Sequence, residues 1–220
     1  MTGLKGKAAM MMFTAHAASR PTNRTRGALL PSVLAIGLLG LSGCSSSAVN
    51  DTFDLSASPV DVATTASARS RQLLVADPVA LKALDSEQIL VRVSGSEIRY
   101  LSKAQWSDRL TRVVQSNLIE AFENTGRLGG VGRPGQGLAI DYQLVTDVRT
   151  FEVVASGGDR GVVEISVKLL NDRNGSVKAQ RSFRAEARSA SSSNADYVEA
   201  LDRAFATVTA DIVAWTLKSI

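Results

Sequence analysis

The chain has 220 residues, a formal net charge of +4, one histidine, His16, and one cysteine, Cys44. Both lie in the first 44 residues, so the rest of the chain can assemble neither a Ser-His-Asp nor a Cys-His arrangement, and no zinc site of thiolates and imidazoles. A lone cysteine also rules out a disulfide within the chain. Carboxylate-only chemistry survives in principle, but the Asp and Glu residues are scattered at positions that read as solvated.

The first 43 residues carry five cations, Lys5, Lys7, Arg20, Arg24 and Arg26, and no Asp or Glu. An almost wholly apolar run follows from Ala28 to Leu41, then the small residues Ser42 and Gly43. A basic region, a short apolar region and a small-residue cleavage site make a secretory signal. The apolar run is shorter than the roughly 20 residues that span a bilayer. Met10, Met11 and Met12 offer later starts. Leu41-Ser42-Gly43-Cys44 resembles the bacterial lipobox, which implies lipid attachment at Cys44 and cleavage before it. The alternative for Cys44 is a free, buried thiol. Two or three acyl chains hold a protein stably on a membrane, at about 0.8 kcal/mol per buried CH₂. Without residues 1–43 the chain has 20 cations against 21 anions, so its basic character belongs to the signal and does not imply nucleic-acid binding.

Residues 44–70 are small and polar and read as a tether, with a short strand near "TFDLSA". As a flexible coil the tether has an r.m.s. reach of about 25–30 Å. Residues 71–220 form the domain. "QLLVADP" is a strand stopped by Pro78, and "QILVRVSGSEIRYL" is a hairpin about the turn Ser94-Gly95-Ser96. A helix is predicted from Ser102, with Ser102 and Gln105 spaced as a capping box. Trp106, Leu110, Val113, Val114, Leu118, Ala121 and Phe122 line its apolar face; Asp108, Arg109, Arg112, Gln115, Glu120 and Glu123 point away.

"GVGRPG" places Gly130, Gly132 and Gly135 in the spacing of a dinucleotide fingerprint. It follows a helix and precedes a strand, the reverse of the required context, so it reads as a flexible loop. Three strands of period two come next. The first presents Leu138, Ile140, Tyr142, Leu144 and Val148; the second Val163, Ile165, Val167 and Leu169; the third Val177, Ala179, Phe183 and Ala185. Asn174-Gly175 turns the second into the third. Ser193 and Asp196 open a last helix with Tyr197, Val198, Leu201, Phe205, Val208, Ile212 and Trp215 on its apolar side. The order predicts an α+β fold: a mainly antiparallel sheet with two amphipathic helices packed on one face.

"IRYLSKAQWSDRLTRVVQSNLIEAF" resembles the signature segment of the ABC-type transport auxiliary lipoproteins, with Tyr100, Trp106, Asp108 and Leu110 in matching positions. Tyr142, Leu144 and Phe151 match a downstream strand, and Trp215 a late tryptophan in the closing helix. The resemblance covers roughly residues 53–217. It implies a non-catalytic lipoprotein subunit, anchored by Cys44 and facing the periplasm. Its partners would be an MCE-domain protein, an ABC permease and an ATPase, moving lipids or other hydrophobic substrates. It implies no cofactor, no metal and no nucleic acid, and leaves homo-oligomerisation open. An envelope assembly or structural lipoprotein is the alternative, and a lipid-anchored hydrolase a third. Ser45 follows Cys44 where enterobacterial inner-membrane retention uses Asp, so outer-membrane residence is expected.

Overall fold

The alternating apolar segments join into one nine-stranded sheet, and the two segments of helical period lie against it. The computed structural model describes residues 50–56 and 68–220. In chain order the elements are β1 (Asp51–Phe53), β2 (Ala68–Val75), β3 (Val79–Ala80), β4 (Gln88–Arg92), β5 (Ile98–Trp106), α1 (Leu110–Asn124), β6 (Leu128–Gly132), β7 (Tyr142–Val154), β8 (Arg160–Asn171), β9 (Val177–Arg188) and α2 (Asn194–Ser219). The strand expected in the tether thus forms as β1, and β2 begins at Ala68.

The α+β class holds, but the sheet is mixed and not mainly antiparallel. Five of its eight pairings, β1–β5, β2–β6, β2–β7, β3–β7 and β4–β7, are parallel. The cause lies in β7. One edge is taken along its whole length by β8. The other is shared by three short strands in succession: β2 at Tyr142–Leu144, β3 at Asp147–Val148 and β4 at Glu152–Val154. Pro78, which has no N–H to give a ladder, interrupts this walk along β7. Parallel pairs need a crossover, and α1 supplies it between β2 and β7.

The helix predicted from Ser102 begins at Leu110, and Ser102–Trp106 are strand. Hydrogen bonds from distant segments decide this. Trp106 N–H donates to Glu87 O at 2.7 Å, and Ser107 N–H to Phe53 O at 2.7 Å. Trp106 is nevertheless buried, edge-on to Phe151, which in turn touches Phe205 of α2. Gln115, expected on the solvent side of α1, is also buried: its amide donates to Val75 O and to Asp77 Oδ1, both at 3.0 Å.

The glycine-rich segment is not a loop throughout, since Leu128–Gly132 pairs with β2 as β6. A Cβ on Gly129 would stand 2.3 Å from Arg69 O, so this strand pair closes only on glycine. The last three strands and α2 follow the predicted pattern in the main, but β7 begins at Tyr142, leaving Leu138 and Ile140, expected on its inward side, in the preceding connection. Ser193 caps α2, its Oγ accepting from Asp196 N–H at 3.1 Å. β7 keeps Tyr142, Leu144 and Val148 inward and then bulges, and Phe151 and Val153 resume the buried side. Val177, expected inward, is exposed. α1 lies over β2 and β6, and α2 over β8 and β9.

Candidate functional site

Cys44 and the signal before it lie outside the described residues. Within the domain, the chain gathers polar groups at one end of the sheet and on the face opposite the helices. The end is formed by the β4–β5 turn, the β7–β8 turn and the loop from β9 into α2. Arg160 ties it together: Nε donates to Glu186 Oε2 at 2.9 Å, and Nη1 to Ser156 O at 3.1 Å and Gly158 O at 3.3 Å. Gly158, Arg160 and Glu186, with Asp159, Arg188 and Ser189, line a cleft of about 540 Å³. Behind it Tyr197 Oη donates to Asp159 Oδ2 at 2.6 Å, and this bond, with burial beside the carboxylate, pushes the phenol up to about 12.

The opposite face carries a ladder of ion pairs. Arg184 bridges Glu164 at 3.1 Å and Glu186 at 2.7 Å, which holds the Glu186 carboxyl below the usual range. Arg149 reaches Glu164 at 3.9 Å. Arg92 and Glu152 form a two-point pair at 2.5 and 2.9 Å that raises the Arg92 pKa. Glu152 is only 6% exposed, so removing Arg92 alone would strand a buried charge. Each of these carboxylates is held by arginine. Among the described residues no group of three His, Cys, Asp or Glu is placed to hold a metal. The arrangement provides a rigid, charge-matched surface.

A smaller groove, about 170 Å³, lies between β9 and the last turns of α2. Trp215 meets Phe183 edge-on there at 5.7 Å, and the Arg181 guanidinium lies 5.1 Å from the Phe183 ring centre. The residues singled out in the sequence do not converge on one site. Trp106, Leu110, Tyr142, Leu144 and Phe151 are core, and Tyr100 is half exposed on β5. Asp108 takes Arg109 N–H at 2.6 Å at the start of α1. The Arg92–Glu152 and Tyr197–Asp159 pairs went unforeseen, being 60 and 38 residues apart in sequence with no local signal.

A mixed sheet carrying two helices on one face and an ion-paired surface on the other is a two-layer α+β domain. The chain belongs to the family of ABC-type transport auxiliary lipoprotein components, whose model matches residues 53–213. Protein XCC0632 from Xanthomonas campestris has a similar crystal structure: TM-score 0.69 and 29% identity, over 77% of this chain and 96% of that one. A second crystal structure, of an uncharacterised protein, shares the fold at TM-score 0.61 and 17% identity, over 76% of this chain and 99% of that one. The uncharacterised protein bll6063 of Bradyrhizobium diazoefficiens is 28% identical over 184 residues. That match takes in 84% of this chain but only 49% of the relative, so the chain spans about half the relative's length. Among the described residues no helix is long and apolar enough to cross a membrane.

Proposed function

We propose that this protein is a non-catalytic subunit of an ABC/MCE-type transport system, lipid-anchored through Cys44. It would face the periplasm and help to hold the conduit for lipids or other hydrophobic substrates. The observation that carries the reading is the family match, which runs through the folded domain from residue 53 to 213. The lipobox at Leu41–Cys44 lies just upstream and supplies the attachment. A separate ATPase provides the energy, and an MCE-domain protein forms the conduit that this domain steadies. The uncharged Ser45-Ser46-Ser47 after Cys44 supports outer-membrane residence.

Affinity purification of the full-length lipoprotein from its own cells tests this. Recovery of an ATPase, a permease and an MCE-domain protein is expected, and their absence from a membrane-solubilised preparation would count against the reading. Density-gradient fractionation tests the membrane separately, since recovery with inner-membrane markers overturns only the outer-membrane placement.

A further inference from the structure

The position of β1 shortens the connection between the anchor and the domain. Residues 44–70 were expected to act as one tether, yet Asp51–Phe53 already belong to the sheet. Cys44 and Asp51 are seven positions apart in sequence, so the two lie at most about 25 Å apart.

The register fixes where that short connection enters. Asp51 pairs with Ala104 of β5, beside Gln105, which pairs with Gln88 of β4. Two residues beyond Gln88, Leu90 lies level with Glu152 of β7. Asp51 is therefore about 15 Å, at 3.3 Å per strand residue, from the end of the sheet with the β4–β5 and β7–β8 turns. Along β7 it is about 30 Å from the level of Tyr142, and the β8–β9 turn lies at that far end. The stretched connection reaches the near end and falls short of the far one. Direction agrees with distance, because β1 runs parallel to β5 and the preceding chain comes from the side where β5 begins.

The two ends also differ in composition. At the near end the turn tips Ser94-Gly95-Ser96, Ser156-Gly157-Gly158 and Ser189-Ala190-Ser191-Ser192 are small and uncharged, with Glu97, Asp159 and the Arg160–Glu186 pair next to them. Ile98 and Tyr100, at 40% and 39% exposure, stand on β5 beside the first of these turns. The far end carries Asp172-Arg173-Asn174-Gly175 and Asp141. Small turn tips flanked by a half-exposed Ile and Tyr, with paired charges next to them, suit the polar headgroup layer of a bilayer, where an aromatic ring with a polar tip is favoured.

We propose that the end of the sheet formed by the β4–β5 turn, the β7–β8 turn and the β9–α2 loop rests on the lipid surface. α2, which starts at that end, then points away from the membrane and leaves the β8–β9 turn accessible to partners. This placement rests on lipid attachment at Cys44.

Because Cys44 is the sole cysteine, Ser96→Cys, Ser156→Cys and Asn174→Cys each introduce a unique thiol once the Cys44 sulfur carries a diacylglyceryl group. The full-length lipoprotein, labelled there with a fluorophore, is reconstituted into phosphatidylethanolamine–phosphatidylglycerol vesicles carrying a headgroup nitroxide quencher. Labels at Ser96 and Ser156 are expected to lose most of their fluorescence, and the label at Asn174 little. Equal loss at all three sites, greater loss at Asn174, or no loss at Ser96 and Ser156 overturns the placement and leaves the anchor standing. An unmodified Cys44 in the mass spectrum removes the anchor, and with it the placement.

Discussion

The two halves of the sheet are held by different means. β7, β8 and β9 pair continuously over eleven or twelve positions each, with α2 laid across them. β1 to β6 are short, pair over two to four positions, and depend on isolated long-range contacts. These include the Trp106–Phe151 contact, the Gln115 amide on Val75 and Asp77, and the Thr111 hydroxyl on Asp85 at 2.7 Å. The meander spreads its stability over many equivalent bonds, while the patchwork concentrates it in a few side chains. Single substitutions should therefore open the patchwork locally but affect the meander only as a unit.

Trp106 joins the two halves and gives the largest expected effect. Trp106→Ala removes a ring 1% exposed, and a loss of about 3–5 kcal/mol is expected. A denaturation midpoint close to wild type would show that the ring is no core element. Gly161 tests the meander. A Cβ there would stand 2.5 Å from Leu201 N in the backbone of α2, which cannot swing aside as a side chain can. Gly161→Ala should cost about 1–3 kcal/mol and lower the whole transition cooperatively. Gly95→Ala is the control, since nothing lies within 4 Å of the added methyl. Equal effects of the two changes would refute the close approach of α2.

Gln115→Leu probes the patchwork alone. It leaves Val75 O and Asp77 without this donor and should cost about 1–3 kcal/mol. Amide exchange should accelerate in β2 and β6 more than in β8. Uniform acceleration across the sheet would erase the distinction between the halves.

The same contrast explains what could be read in the sequence. β7, β8, β9 and the capped start of α2 announce themselves because antiparallel pairing and capping leave local marks: period two, Asn174-Gly175, Ser193 three residues before Asp196. The patchwork leaves none. Ser102 and Gln105 imitate a capping box, and Trp106 continues the helical period of Leu110, Val113 and Val114. Only the bonds to Glu87 and Phe53, distant in sequence, make the segment a strand. The glycine-rich segment reads as loop because glycine reads as freedom, whereas Gly129 permits β2 and β6 to approach. Gln115 was placed outward by polarity, although its amide finds partners inside. For the candidate site, the lipobox at Leu41–Cys44 is a local pattern of sequence that lies outside the described residues. The point at which the chain enters the sheet leaves no such mark, since it follows from the β1–β5 pairing.

The smallest expected effect lies where α2 meets the meander's turn, at the Tyr197–Asp159 bond. The folded phenol titrates at about 12, against an ordinary 10.0. Its protonated form is the one the fold favours, because ionising it would remove the donated hydrogen bond and set a phenolate beside the Asp159 carboxylate. A group with a raised folded pKa contributes fully below its unfolded value and loses that contribution as pH rises through the folded one. The stabilisation should therefore be constant below pH 10 and fade toward pH 12. High pH acts on the whole chain, so the wild type alone does not isolate the effect. Tyr197→Phe does, because it keeps the ring and removes the hydroxyl. The stability difference between wild type and Tyr197→Phe should hold steady from pH 7 to 9 and shrink through pH 10–12. A difference that stays constant or grows over that range would show that the phenol is not held by Asp159, and that the β7–β8 turn is tied to α2 by other contacts.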